Sequence, residues 1–253
     1  MMRAFDRCID QIDAYVKEMR ETGNRYRELF STTCFEDLAH SLPFKVGPGA
    51  GSGLVLKSDA FLELGSPTAG SCAFTLYSDT SPFNHASWIR LIGPDVQECP
   101  SCTLPFGQVI IARGEVLTDK EYQDIIQSQY TMDQIEGYMV KSSPGHIWSR
   151  VSNEVAKKGF SFEFLGMALI KLLKMQIQKV TSVEVIFVTS GKADVQRLCE
   201  IEVEVKKIVR ELKRRFWGAK GIDISECAFG GYCGVCEYKP VCDKIIKFTY
   251  ARR

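Results

Sequence analysis

Histidine is scarce in this chain, with 3 among 253 residues, and tryptophan is equally so. The three imidazoles, His40, His85 and His146, lie in unlike contexts and read as ordinary polar contacts. No convincing nucleophile–base set accompanies them, so an enzyme in its own right is the weakest reading. Net charge is lacking as well: 32 basic residues face 31 acidic ones, for +1 at pH 7. No global field favours a nucleic acid or an anionic membrane, and a charge-driven partner must read a local patch. No run approaches the ~18 apolar residues of a membrane span. The opening Met1-Met2-Arg3-Ala4-Phe5 leads into a charged amphipathic stretch, not the apolar heart of a secretory signal. A cytoplasmic protein without a membrane span or a nucleic-acid partner is expected.

Cysteine is what the chain has in excess, at 10 residues. In a reducing compartment disulfides are rare, so clustered cysteines point to metal. Cys8, Cys34, Cys72 and Cys199 are scattered and read as plain buried thiols, small hydrophobes in effect. Cys99 and Cys102 flank Pro100, and the remaining four crowd the C-terminal region.

The apolar residues outline an α+β fold, with a mixed or mostly antiparallel sheet and flanking helices. Phe5, Cys8, Ile9, Ile12, Tyr15, Val16 and Met19 recur at helical spacing, predicting a helix over 4–30 that docks on the main body or, as the alternative, pairs with a partner helix. Val46 to Gly53 is rich in glycine, but without the Gly-Lys-Ser/Thr ending of a phosphate loop it is a connector. Strand-like runs follow at Phe61–Leu64, Cys72–Tyr77, Trp88–Ile92 and Gln108–Ala112. No helix separates them, which favours antiparallel pairing in this half. Thr118-Asp119-Lys120-Glu121 is a capping box, opening a helix that carries Tyr122, Ile125, Ile126 and later Ile135. A short strand over His146–Val151, a helix near 162–178 and a β-branched central strand over Val183–Val188 come next. Asp194 is positioned to cap a last long helix, closed by Gly218.

The C-terminal cysteines, Cys227, Cys233, Cys236 and Cys242, have the spacing Cys-x5-Cys-x2-Cys-x5-Cys. A Cys-x2-Cys turn sets two thiolates on one side of a tight loop, whose amides can stabilise sulfur charge. Gly230, Gly231 and Gly234 allow the backbone to approach an inorganic core, and Phe229, Tyr232, Val235, Tyr238 and Val241 can exclude water. A [4Fe-4S] cluster is the expected cofactor. Structural zinc is the alternative, with Cys99 and Cys102 able to supply the second Cys-x2-Cys knuckle, and unligated thiols are the third reading. Lys206, Lys207, Arg210, Lys213, Arg214, Arg215 and Lys220 form a basic patch just before this segment. It suits the helix C-terminus, or a docking surface for an acidic carrier or phosphates.

A series of short stretches runs through the chain: Val46-Gly47-Pro48, Phe61-Leu62-Glu63-Leu64-Gly65, Ile92-Gly93-Pro94-Asp95, Leu104-Pro105-Phe106-Gly107, Ile135-Glu136-Gly137-Tyr138-Met139, Ile147-Trp148-Ser149-Arg150-Val151-Ser152 and Lys157-Lys158-Gly159-Phe160. They continue into Phe162–Leu173 and Val183–Thr189. In these stretches and their order, residues 42 to about 215 resemble the middle domain of acetyl-CoA synthase, the β subunit of carbon monoxide dehydrogenase/acetyl-CoA synthase complexes. Taken with the N-terminal helical pattern and the cysteine array, the resemblance divides the chain into an N-terminal helical segment (1–40), a middle-domain-like α+β domain (41–220) and a cysteine-rich iron–sulfur segment (221–253). It further implies coenzyme A binding through arginines near a tryptophan, here Trp148 and Arg150, where indole can stack on adenine and guanidinium pair with phosphate. Implied partners are other subunits of an anaerobic redox complex or a ferredoxin-like carrier. The family's catalytic domain uses a Cys-Gly-Cys for nickel, which this sequence does not contain. The chain is therefore expected not to make acetyl-CoA unaided. An iron–sulfur accessory or electron-transfer subunit is the leading expectation; a coenzyme A-binding scaffold with structural zinc is the other.

Overall fold

A computed structural model describes residues 4–22, 25–32, 42–51, 53–66, 68–79, 86–99, 103–118, 121–122, 125, 134–143 and 146–218. In chain order the elements are α1 (Asp6–Glu21), β1 (Tyr26–Thr32), β2 (Ala60–Leu64), β3 (Ser71–Ser78), β4 (Ser87–Ile92), β5 (Thr103–Leu104), β6 (Phe106–Gly114), β7 (Tyr138–Ser143), β8 (His146–Ser152), α2 (Asn153–Lys157), α3 (Phe162–Gln176), β9 (Val180–Val188) and α4 (Lys192–Gly218).

Two mixed sheets carry the α+β architecture. The larger runs β1-β4-β9-β6-β3, and the smaller β5-β2-β8-β7. The mostly antiparallel pairing expected early in the chain gives way to alternation: β4 lies parallel to β9, β3 parallel to β6, while β1–β4 and β6–β9 are antiparallel. Apart from the antiparallel pair β7–β8, chain-adjacent strands are dealt to different sheets or to opposite sides of the central β9. Local spacing therefore says little about strand direction. Every residue of β3 and β6 is buried, as both faces of this sheet are covered.

One face receives α1 and α4. The apolar side of α1, Cys8, Ile9, Ile12, Tyr15, Val16 and Met19, is buried in the common core. On β6, Gly107 leaves the space that Leu198 of α4 fills; a Cβ there would approach the leucine methyl to 2.8 Å. The other face receives α3, where Gly166 lies against Ile89, and Phe106, Phe162 and Phe187 stack in series. Hydroxyls start two helices. Ser161 accepts from the Phe164 amide at 3.3 Å and Ser152 from the Val155 amide at 3.2 Å.

Three expectations are corrected. The N-terminal helix ends at Glu21, where the Thr22 hydroxyl donates to the Met19 carbonyl at 2.8 Å, and β1 begins at Tyr26. Ile135 is no helix residue but pairs with Val46 as an isolated bridge. Asp194 lies inside the first turn of α4, where it accepts from Ser190 and pairs with Arg25 at 2.9 Å. The capping box is present, with Glu121 accepting from the Thr118 amide at 2.7 Å and the Thr118 hydroxyl accepting from the Glu121 amide at 3.3 Å.

Candidate functional site

Strand periodicity places Trp148 and Arg150 of β8 on one side of the smaller sheet, and the register sets Glu63 of β2 opposite Arg150. The opposite side, including Leu62, Leu64, Ile147 and Val151, is buried in the core. The Arg150 guanidinium carbon lies 4.4 Å from the centre of the Trp148 ring. Its Nε donates to Glu63 at 2.7 Å and its Nη1 to the Val55 carbonyl at 3.0 Å. Both charged side chains are largely covered, with 13% and 18% of their surface exposed.

Val55 ties its loop across this face from both directions, since its amide also points to the Met139 sulfur at 3.3 Å. The neighbours Leu54 and Leu56 consequently project into solvent, at 68% and 52% exposure. The result is an open platform: an indole capped by a guanidinium, a carboxylate balancing that charge, and two apolar side chains alongside. Trp148 and Arg150 thus come together as the sequence suggests. Glu63, which sequence spacing does not reveal, is the ion-pair partner of Arg150. Trp148 retains a part-exposed ring whose Arg150-facing side is occupied.

Cys227, Cys233, Cys236 and Cys242 lie outside the described residues, as do Cys102, His40 and His85. Cys99 is half-buried and follows a 3-10 turn over Val96–Glu98. Among the described residues no three His, Cys, Asp or Glu side chains are grouped to hold a metal ion. No helix among them is long and apolar enough to cross a membrane.

The basic patch on α4 is partly neutralised along its own helix: Lys206 pairs with Glu202 at 3.3 Å, Lys207 with Glu204 at 3.5 Å and Arg215 with Glu211 at 2.5 Å. Under α1, the larger sheet buries a charge cluster invisible in the sequence. Glu184 of β9 contacts Arg90 of β4 and lies 3.5 Å from Arg113 of β6. Burial pushes the Arg113 pKa down and that of nearby Asp13 up. Glu184 and Arg113 are enclosed within the fold, where they tie neighbouring strands together.

The family model for the CO dehydrogenase/acetyl-CoA synthase complex beta subunit matches residues 42–195. The acetyl-CoA decarbonylase/synthase complex subunit beta of Methanopyrus kandleri is 27% identical over 200 residues, covering 78% of this chain and 41% of that protein. Subunit beta 1 of Methanosarcina thermophila is 25% identical over 198 residues, covering 77% and 40%. The Archaeoglobus fulgidus subunit beta is 26% identical over 150 residues, covering 58% and 28%. The match therefore spans about 41% or less of these relatives' length. The family model takes in every strand but β1, and with them the Glu63–Trp148–Arg150 platform.

Proposed function

The chain belongs to the CO dehydrogenase/acetyl-CoA synthase complex beta-subunit family, and from that premise we propose that it is an iron–sulfur accessory or electron-transfer subunit of a larger redox assembly. The carrying observation is the Cys-x5-Cys-x2-Cys-x5-Cys array that follows the family domain. Four thiolates are the donor set a [4Fe-4S] cluster takes, and the interleaved aromatics and glycines suit a dry, closely approached cluster. Cys227, Cys233, Cys236 and Cys242 would be the ligands. When bound, the cluster supplies one-electron chemistry; the surrounding chain holds it and sets its access to water. Other subunits of the assembly, or a ferredoxin-like carrier, are the partners this role requires. Dithionite reduction of anaerobically purified protein, followed by electron paramagnetic resonance, tests the reading. A cluster signal that is lost on replacing Cys233 and Cys236 supports it, and a silent, colourless protein opposes it.

A second reading, a coenzyme A-binding scaffold with structural zinc, draws on the platform around Trp148. Indole and guanidinium are within reach of each other there, and Leu54 and Leu56 offer apolar surface to a thioester's acyl end. Glu63 works against it, since a phosphate must displace or share with a carboxylate already seated on Arg150. Calorimetric titration with coenzyme A, comparing wild type with Trp148→Ala and Arg150→Ala, separates the two readings.

A further inference from the structure

Cys72 and Cys199 are far apart in sequence, yet the packing of α4 on β3 brings them together. Cys72 is fully buried in β3 and points to the α4 side, its sulfur 3.6 Å from the place a Cβ on Gly107 would occupy, beside Leu198. Cys199, the next residue on α4, donates from its thiol to the carbonyl of Ser71 at 3.6 Å. That carbonyl belongs to the residue immediately before Cys72. The Cys199 thiol therefore sits against the Ser71–Cys72 peptide, and neither cysteine is in a disulfide. Their exposures differ: Cys72 has none, whereas Cys199 is half-buried.

We propose that Cys72 and Cys199 form a redox-active dithiol, with Cys199 as the attacking sulfur and Cys72 as the resolving one. The arrangement divides the labour that thiol–disulfide exchange needs. The attacking sulfur must reach solvent and ionise. The neighbouring Cys72 thiol, and then the Lys206 ammonium on the same helix, bring its pKa down to about 7 against the opposing burial and the Glu200 carboxylate. The resolving sulfur must stay unreacted until a mixed disulfide forms beside it. Interaction with Cys199, burial and the carboxylate of Glu202 keep Cys72 in its thiol form.

The chemistry closes with a small aliphatic disulfide as oxidant. The Cys199 thiolate attacks one sulfur of that disulfide, forming a mixed disulfide and expelling one thiolate. The Cys72 sulfur, losing its proton to solvent, then attacks Cys199 and expels the second thiolate. Two protein thiols are oxidised by two electrons, the small disulfide is reduced to two thiols, and the two protons end on those products. The new bond clips α4, which leads toward the C-terminal cysteines, onto β3.

The test uses the full reduced chain in native buffer at pH 8 with glutathione disulfide. Alkylation, proteolysis and mass mapping follow. A peptide pair linked through Cys72 and Cys199 is expected, reversed by dithiothreitol, while core-buried Cys8 remains alkylatable after unfolding. Cys72→Ser should stop at the Cys199–glutathione adduct, and Cys199→Ser should leave Cys72 as a thiol. The wild-type map decides the pairing whether or not either variant folds. The proposal is overturned if wild type yields only the Cys199 adduct, if both thiols stay alkylatable, or if the linkage appears only together with oxidation of Cys8.

Discussion

Arg150 holds its guanidinium 4.4 Å from the ring centre of Trp148 while its Nε donates to Glu63 at 2.7 Å. The arginine is thereby fixed before any ligand arrives. Preorganisation of this kind lowers the ordering cost of binding, but the carboxylate offsets the charge an anionic ligand would seek.

The first expectation concerns stability. Arg150→Ala strands a largely buried carboxylate and frees the Val55 loop, so a loss of roughly 1–3 kcal/mol is expected. Glu63→Gln keeps a hydrogen-bond acceptor and should cost less. Urea unfolding of the two variants orders them. Equal, negligible losses would show that the pair contributes little to the fold.

Coenzyme A provides a second, independent expectation from the same pair. If the platform takes a phosphate, Glu63→Gln should tighten coenzyme A binding several-fold by releasing the guanidinium. Arg150→Ala should abolish it. Calorimetry in which Glu63→Gln weakens binding would contradict a phosphate on Arg150.

Stability should also depend on pH through Glu202. Burial on α4 raises its pKa to about 7, above the ordinary carboxylate value, despite Lys206 beside it. The folded state then holds the proton more tightly than the unfolded chain. The associated stability is fully present below pH ~4.5 and is lost as pH rises through about 7, a swing on the order of 3 kcal/mol. Glu202→Gln should flatten this slope and leave the fold more stable than wild type at pH 8. Denaturant midpoints at pH 5 and pH 8 measure it, and an unchanged slope in the variant would assign the pH dependence elsewhere.

Gly93 supplies a backbone test. It follows β4 with φ of 119°, and a Cβ there would collide with the Ser190 backbone. Gly93→Ala should destabilise by more than ~1 kcal/mol, read as a lowered melting temperature. A neutral substitution would show that the β4 and β9 ends can separate freely.

Much of this fold is legible in the residue pattern. The β-branched and aromatic runs of β2, β3, β4, β6, β8 and β9 are contiguous and apolar enough to declare themselves, and so is the α3 stripe. β1 escapes because Tyr26-Arg27-Glu28-Leu29-Phe30 is as polar as the helix before it. Its place is set by pairing with β4 and by Arg27 reaching Glu98 at 2.8 Å. β7 follows Gly137, whose φ of 69° turns the chain where an apolar count extends a helix. The site divides in the same way. Trp148 and Arg150 are neighbours on one strand and readable as such. Glu63, and the Cys72–Cys199 contact, exist only through strand register and helix packing across long sequence separations.

The cysteine array carries the central claim, and metal content tests it most directly. The measurement is iron, acid-labile sulfide, zinc and nickel per chain in anaerobically purified protein, with a visible spectrum before and after dithionite. About four iron and four sulfide per chain, with a broad brown absorbance that bleaches on reduction, are the expected result. A colourless protein carrying one zinc and no sulfide would contradict it.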